Sequence, residues 1–369
     1  MIHDSLRAII AFVFVLGVLV TIHEFGHYLA ARWRGIHVEI FSIGFGPALV
    51  RWADRSGTEW RICCLPFGGY VLPHGMMNPE TATPEERAAW IPGKTFHEKS
   101  VWSRAAVIVA GPLFNFLLSI VLLACLYSVT GMPRITNHVS TILPHSAAAD
   151  AGLEKGDVIT GIGGHSLDSV AAIQEEVSVS PGLKTTLSVT RDGNKLEVPV
   201  TIGSGTAKSG GSAHGLLGVG FMVEKTPPLA LPQAVIAGIK ETWSMTKETV
   251  RGLWMILTGQ HSARELGGPL KIAQLSGQVA QYGFASLLPF MALLSVNLGL
   301  INLFPIPVLD GGKLIFYIVE AVRGRPVPVK VQEVCFQFGL AAVAALFLFS
   351  TFNDLSSFGL FKWITSFVS

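Results

Sequence analysis

The stretch TIHEFGHYLA, residues 21–30, places two histidines and a glutamate at the end of an apolar run. The run before it, AIIAFVFVLGVLVTI at residues 8–22, carries no charge, and HEFGH continues it in the same helical phase. Burying histidine and glutamate in lipid is costly and usually marks function. The stretch therefore predicts a membrane-spanning helix with a functional site near its end.

The composition is that of a membrane protein with some soluble mass. Of the 369 residues, 50% are hydrophobic and only 14% are charged, against roughly 25% charged in soluble domains, and the mean hydropathy is +0.50. The formal net charge is +2 without a lysine and arginine tract, so nothing suggests nucleic-acid binding. Two of the four cysteines are adjacent and two lie in apolar runs, which indicates neither a disulfide framework nor a cysteine metal site.

Four apolar segments are long enough to span about 30 Å of hydrocarbon. The first is retained rather than cleaved as a signal peptide, because HEFGHYLAARWR follows where a small-residue cleavage site should begin. Basic residues cluster between the first two segments and between the last two, so the positive-inside rule places both loops in the cytoplasm and the long central segment in the periplasm of a bacterium. The four segments are roughly 6–31, 103–129, 287–308 and 334–352.

The first cytoplasmic loop contains two predicted strands, residues 38–50 and 59–72, which are rich in strand formers and bounded by glycines. Lipid excludes open sheet edges, so apolar strands beside a helical bundle are expected to line an internal cavity. Gly68 and Gly69 would permit close approach of another backbone, which makes them candidate substrate-binding residues. The alternative is a small surface sheet.

The composition turns soluble from about residue 135 to residue 224. The pattern AGLEKGDVI there resembles a bacterial PDZ domain in a single copy, in which an extended peptide would add to a sheet edge; a plain spacer domain is the alternative. Residues 185–202 read as a hairpin turning at Asp192 and Gly193. Residues 231–283 are helical in pattern but too polar to span, and would lie on the membrane surface or pack on the bundle.

His23 and His27 lie four apart on a helix, so both imidazoles project from one face and can share one Zn²⁺ at about 2.0 Å each. Glu24 lies between them, where its carboxylate can take a proton from an attacking water molecule. The motif also occurs by chance in capping or surface helices. Its place at the end of an apolar run favours the zinc site, because the alternative leaves three polar side chains in lipid unexplained.

A third zinc ligand is expected from the segment SVNLGLINLFPIPVLDGGKL, residues 295–314, because catalytic zinc usually takes three protein ligands. An aspartate at a helix centre costs about 2.5 to 3.5 kcal/mol on insertion, so Asp310 needs a partner that zinc would provide. Pro305 breaks the helix and frees carbonyls for substrate or water. Asn297 and Asn302 are buried amides that would contact substrate or, alternatively, pack helices together.

Together these motifs resemble an intramembrane zinc protease of the site-2 protease family, in the bacterial regulator-of-sigma-E branch. The resemblance implies one Zn²⁺ per chain held by His23, His27 and Asp310, with Glu24 as general base. It also implies that Asn302 holds substrate or stabilises the oxyanion, and that the loop with LPFGGYV forms a membrane-reentrant sheet against which the substrate helix unwinds. The motifs that carry it are HEFGH at 23–27, GFGP at 44–47, LPFGGYV at 65–71, GPLFN at 111–115, the PDZ-like segment and NLFPIPVLDGG at 302–312.

The expected fold is an α-helical multi-pass membrane protein with four transmembrane helices, a membrane-associated β-sheet loop and a periplasmic PDZ-like α+β domain. Its predicted order is transmembrane helix 1 (1–32), cytoplasmic loop with reentrant sheet (33–100), transmembrane helix 2 (101–130), PDZ-like domain (131–226), periplasmic amphipathic helical region (227–286), transmembrane helix 3 (287–312), cytoplasmic loop (313–333), and transmembrane helix 4 with a C-terminal tail (334–369).

The predicted function is intramembrane endoproteolysis in the bacterial inner membrane, near its cytoplasmic side. The resemblance implies single-pass substrates, either an anti-sigma factor already trimmed outside or a signal-peptide remnant, with the PDZ-like domain excluding large periplasmic parts. A transporter or channel is one rival, but further midplane charges and inverted repeats are absent from the sequence. A catalytically inactive membrane scaffold is the other rival. Such a scaffold would tolerate loss of Glu24 or of a zinc ligand, whereas all four expected residues are present in this sequence.

Overall fold

The computed structural model describes residues 2–76, 82–167, 169–205, 214–260 and 267–357. The predicted C-terminal tail lies outside these residues from 358 onward. The chain divides into two compact units, the second made of Tyr127–Ala230 and Trp254–Ser262 and the first of the remainder. The helices are α1 (Ile2–Trp33), α2 (Pro84–Ala88), α3 (Val101–Thr130), α4 (Ala147–Asp150), α5 (Val170–Ser178), α6 (Leu231–Leu257), α7 (Pro269–Ala280), α8 (Phe284–Asn302), α9 (Asp310–Arg323) and α10 (Val329–Ser357). The strands are β1 (Val38–Ala53), β2 (Glu59–Pro73), β3 (Pro133–Ile142), β4 (Val158–Ile162), β5 (His165–Ser166), β6 (Lys184–Arg191), β7 (Asn194–Thr201), β8 (Gly203–Gly205), β9 (His214–Leu216) and β10 (Val219–Lys225).

Four described helices are long and apolar enough to cross a membrane, as the sequence predicts. They lie in α1, α3, α8 and α10. Their apolar side chains cover most of each helix surface, which is the pattern of a helix surrounded by lipid or by other helices. The four candidate spans are Ser5–Trp33, Val101–Thr130, Phe284–Asn302 and Val329–Ser356.

The third apolar segment, predicted over residues 287–312 with a helix break at Pro305, is divided between two helices. Helix α8 ends at Asn302, a turn follows, and α9 begins at Asp310 and runs to Arg323, through the first part of what the sequence predicts as the loop 313–333. Pro305 explains the end, because proline has no N–H for the helix and clashes with the preceding turn. Gly311 and Gly312 explain the restart, since a Cβ on either would collide with backbone atoms of residues 303–307. The turn therefore packs directly on the first turn of α9.

Helices α1 and α3 approach closely because of a glycine on α1. A Cβ at Gly26 would lie 2.9 Å from the Cβ of Phe114 and collide with the carbonyl group of Ala110. Only glycine leaves the two backbones this close. The crossing brings the HEFGH turn of α1 against the middle of α3.

Helix α6 packs on the bundle of the first unit, which is one of the two positions the sequence left open. A Cβ at Gly238 would lie 2.9 Å from the backbone carbonyl of Ile120. Thr242 hydrogen-bonds Ser119 of α3 at 3.0 Å, between side-chain oxygens. The opposite face remains exposed, with Trp243 at 63%. Interhelical polar contacts of this kind hold helices together where water is scarce.

Strands β1 and β2 are the two strands that the sequence predicts in the first loop, and they pair with each other. Both strands bend, so residues 38–43 pair with 69–73 on one side and with 59–62 on the other. Among the described residues, 69–73 pair only with β1. That segment therefore presents an open strand edge, with unpaired backbone groups available to another strand.

The second unit is a PDZ-like α+β domain. Its main sheet has the order β10-β3-β4-β6-β7, with α5 packed against a buried core that includes Val139, Ile159, Ile173 and Leu187. The predicted hairpin is confirmed as β6 and β7, joined at Asp192 and Gly193 with φ of 49° and 82°. Positive φ at both central residues is what a two-residue type I′ turn requires.

The aspartate of the AGLEKGDVI pattern is a structural residue in this domain. Asp157 is 1% exposed, and its two carboxylate oxygens accept hydrogen bonds of 2.8 Å from the Nε and Nη2 of Arg191. The backbone N–H of Glu154 donates to it as well, also at 2.8 Å. The Arg191 guanidinium lowers the pKa of Asp157 below its usual value.

We expect Asp157→Asn to destabilise the domain by about 1.5–3 kcal/mol at pH 7, the usual range for hydrogen bonds to charged groups. A folded-state pKa below the unfolded value of about 3.9 stabilises fully above pH 4 to 5, and this contribution is lost as pH falls through the folded pKa. The difference between wild type and variant should therefore shrink below about pH 4. Urea unfolding of residues 131–226 at pH 7 and pH 3.5 measures it, with Asp150→Asn, an exposed carboxylate, as control. An equal difference at both pH values would contradict the assignment.

Candidate metal centre

Helix α1 presents His23 and His27 from one face, because four residues make slightly more than one turn. Their Nε2 atoms lie 3.2 Å apart, and the rings meet edge to face with centroids 4.8 Å apart. The two side chains belong to residues that are only 7% and 9% exposed.

The first residue of α9 completes a triangle of ligand atoms. The Oδ2 of Asp310 lies 3.2 Å from the Nε2 of His23 and 3.3 Å from that of His27, and Asp310 is 8% exposed. Metal–ligand bonds of about 2.0–2.1 Å in a tetrahedron place neighbouring ligand atoms about 3.3 Å apart. The donor set of two imidazoles and one carboxylate therefore fits Zn²⁺ in spacing as well as in chemistry, and no other such group occurs among the described residues.

Helix α3 supports both imidazoles from behind. The Nδ1 of His27 lies 2.8 Å from the backbone carbonyl oxygen of Val107 and donates to it, which leaves Nε2 free to bind metal. The Nδ1 of His23 lies 3.1 Å from the side-chain amide of Asn115. Between these two positions, a Cβ on Gly111 would collide with the His27 ring and lie 2.9 Å from the Cε1 of His23. The imidazoles therefore occupy the space that any other residue at 111 would fill.

Helix α9 is anchored to α3 by charge and by aromatic packing. Arg104 donates to Glu320 at 2.5 Å, with both side chains less than a fifth exposed, and its guanidinium lies 5.0 Å from the Tyr317 ring centroid. Burial raises the pKa of Tyr317 to about 12, so the phenol stays neutral beside the ion pair. These contacts fix the helix whose first residue is Asp310.

A cleft of 360 Å³ opens beside the three ligand atoms. Glu24 lines it, and so does the open edge of β2, with Gly69 so close that a Cβ there would lie 3.4 Å from the Cγ of Glu24. Lys313 contributes a positive charge to the lining, with its Nζ 3.8 Å from the Oδ1 of Asp310. The cleft thus combines a carboxylate base, a metal-ligand triangle and a strand edge.

The structure brings most of the predicted site residues to this cleft and leaves two elsewhere. The lining includes His23, Glu24, His27, Gly68, Gly69, Asn302 and Asp310.

Asn297 and Pro305 are not among the lining residues. The Oδ1 of Asn297 accepts a 2.9 Å hydrogen bond from Thr249 of α6, which is the helix-packing role that the sequence left as the alternative. Pro305 lies in the turn between α8 and α9, where it prevents α8 from continuing.

Sequence reasoning missed the supporting side of the site on α3. Val107, Gly111 and Asn115 recur at intervals of four and so form one stripe on that helix. The segment GPLFN at 111–115 carried a signal, since a glycine and an amide stand inside an apolar run. Their contacts with the imidazoles depend on the crossing of two helices about 80 residues apart in sequence.

Comparison with known proteins agrees with this geometry. Residues 11–346 match Peptidase family M50. A protein of Rhizobium meliloti (strain 1021), named as a candidate zinc metalloprotease, is 40% identical over 381 residues, covering 96% of this chain and 98% of its own length. Metalloprotease MmpA of Caulobacter vibrioides is 34% identical over 400 residues, covering 96% of this chain and 97% of its own.

Among solved structures, the PDZ domain of the SdrC-like protein from Listeria monocytogenes matches at 19% identity, with a TM-score of 0.20, over 23% of this chain and 84% of that one. The family match extends over almost the whole chain and includes His23, His27 and Asp310. The chain is therefore a member of Peptidase family M50, the site-2 protease family of zinc metalloproteases.

Proposed function

We propose that this protein is an intramembrane zinc endopeptidase that hydrolyses the transmembrane segment of single-pass membrane proteins. The observation that carries the proposal is the triangle of His23, His27 and Asp310, with ligand atoms 3.2–3.3 Å apart, beside Glu24 in one cleft. One Zn²⁺ per chain would be held there. When bound, it would supply Lewis acidity toward the scissile carbonyl group and toward water.

The protein's own residues then account for the proton movements. Glu24 removes a proton from the attacking water molecule and delivers it to the leaving amine, which is general acid–base catalysis by one positioned carboxylate. Asn302, at the end of α8 in the cleft lining, is proposed to bind the substrate or the oxyanion. Each assignment uses a group already facing the cleft.

The open edge of β2 suggests how a helical substrate is received. A peptide bond inside a helix is shielded by neighbouring turns, so hydrolysis requires local unwinding. The unpaired backbone of residues 69–73 can replace the lost hydrogen bonds by adding the substrate as a strand. Gly69 begins that edge beside Glu24 without a side chain of its own, so a substrate backbone can approach there closely.

The membrane position is also proposed, on the basis of the four apolar helices and the basic loops. The protein would cross the bacterial inner membrane four times, with the PDZ-like domain in the periplasm and the cleft near the cytoplasmic side. Substrates would be anti-sigma factors already cut outside, or signal-peptide remnants. Cleavage would release a cytoplasmic fragment, as in regulated intramembrane proteolysis.

The direct test is cleavage of a single-pass reporter by the purified protein in lipid vesicles, with the cut located by mass spectrometry. We expect a cut inside the transmembrane segment, loss of cleavage on chelation, and recovery on adding Zn²⁺. Asp310→Ala should lose both zinc and activity, because a catalytic zinc usually needs three protein ligands and this variant keeps only two. Cutting only in extramembrane segments, or a wild type without zinc, would refute the proposal.

A second experiment tests the proposed filtering role of the PDZ-like domain. Arg134 pairs with Glu224 and Pro133 with Lys225 at the base of the domain, so residues 135–223 can be replaced by an Asn-Gly turn that joins the Arg134–Glu224 pair as a two-residue connection. We expect this variant to cut reporters with a large folded periplasmic domain, which the wild type leaves intact. If the untrimmed reporter stays uncut while the trimmed one is still cleaved, the domain is not a size filter.

A further inference from the structure

The buried amide of Asn115 has a single polar partner among the described residues, and that partner is a proposed metal ligand. Asn115 is 0% exposed in the apolar helix α3. Its Nδ2 and the Nδ1 of His23 are 3.1 Å apart, and its Oδ1 has no hydrogen-bond partner among the described residues. Burial of a polar group is unfavourable unless it is hydrogen-bonded, so the contact with His23 is what compensates the burial of this amide.

The chemistry of the imidazole decides which atom of the amide must face it. His23 directs Nε2 toward Asp310, and a metal at Nε2 requires a lone pair there. A neutral imidazole then carries its proton on Nδ1 and donates. The two ends of an asparagine amide occupy nearly the same space, so Oδ1 can take the place facing His23. In that orientation the amide oxygen accepts a hydrogen bond from Nδ1–H.

We propose that Asn115 is a positioning residue that fixes the metal-binding tautomer of His23 by accepting a hydrogen bond from its Nδ1–H. For His27 the backbone carbonyl of Val107 performs the same task at 2.8 Å. Both acceptors lie on one stripe of α3, eight residues apart, with Gly111 between them. The main chain at residue 115 is held in turn by Ser295 of α8, whose hydroxyl donates to the Asn115 carbonyl at 2.8 Å.

The test is the Zn²⁺ affinity of the full chain, measured by competition with a chelator, and it rests on the proposed zinc site. Asn115→Leu removes the acceptor at similar volume and should weaken zinc binding about 10- to 100-fold, the usual effect of losing such a partner. Asn115→Asp keeps acceptor oxygens and should bind zinc within a few-fold of wild type. Asn297→Leu is the matched control, because it removes another helix-packing amide that contacts Thr249 instead of the site.

The outcomes separate this inference from the proposed function. A wild type that binds no zinc refutes the zinc site itself. A wild type that binds zinc, with Asn115→Leu equally tight, refutes the role of Asn115 alone. Equally weakened zinc binding in Asn115→Asp and Asn115→Leu also refutes it, since the amide would then matter for helix packing and not as a hydrogen-bond acceptor. Cleavage by the Asp variant with a near-normal KM and kcat provides an independent check that does not depend on the folding of the Leu variant.

Discussion

Glu24→Gln is expected to reduce cleavage of a single-pass reporter by at least about 100-fold, the lower range for loss of a general base. Glutamine has the size of glutamate and keeps an oxygen, but its amide cannot take a proton from water at neutral pH. The triangle of His23, His27 and Asp310 does not include this residue. Zinc content should therefore remain at the wild-type level, which separates loss of the base from loss of the metal.

The measurement combines rates in lipid vesicles with metal analysis of both purified proteins. Glu248→Gln, on α6 and exposed, is a control for the removal of one carboxylate from the first unit. Glu24→Asp places a carboxylate about one methylene short of the cleft and should restore only part of the rate. Wild-type cleavage by Glu24→Gln would exclude this residue as the base, and parallel loss of zinc would indicate a structural role.

The parts of the site that follow from local sequence were predictable. His23 and His27 share a face because of the helical period alone, and the end of α8 follows from Pro305. The turn at Asp192 was predictable for the same reason, since its geometry depends on two consecutive residues. The Asp310 prediction went further, because it combined an unsolvated carboxylate with the ligand count of zinc. The structure places its Oδ2 at 3.2–3.3 Å from both imidazoles.

The remaining features depend on tertiary contacts that no local pattern encodes. Asn297 and Asn302 are five residues apart on α8, and both are amides in an apolar helix, yet only Asn302 lines the cleft. Five residues turn a helix by about 500°, so the two side chains point in directions about 140° apart. Which direction faces the cleft is set by the packing of α6, whose Thr249 binds Asn297. The start of α9 at Asp310 was missed for a similar reason, since residues 313–323 of the expected loop belong to a helix held by Arg104.

Gly111→Ala tests the packing between α3 and the imidazoles, and we expect it to lose most zinc binding and cleavage. The new Cβ would lie 2.9 Å from the Cε1 of His23 and closer still to the His27 ring, well inside normal contact distance. The helices cannot separate easily, because Gly26 of α1 already lies against the Ala110 carbonyl. The rings must therefore move, and displacement of a catalytic group by about 1 Å can cost about 100-fold in rate.

Gly17→Ala is the matched control for this substitution. Gly17 lies in α1, and nothing lies within 4 Å of a Cβ built there. Alanine is favoured over glycine inside a helix by up to about 1 kcal/mol, so both substitutions gain helix propensity and only one meets the imidazoles. We expect Gly17→Ala to keep wild-type zinc affinity and rate, while Gly111→Ala loses at least about tenfold in zinc affinity, the lower range for a disturbed ligand shell. Equal zinc affinity in the two variants would mean that the imidazoles have room to move, and that α3 does not define the metal centre.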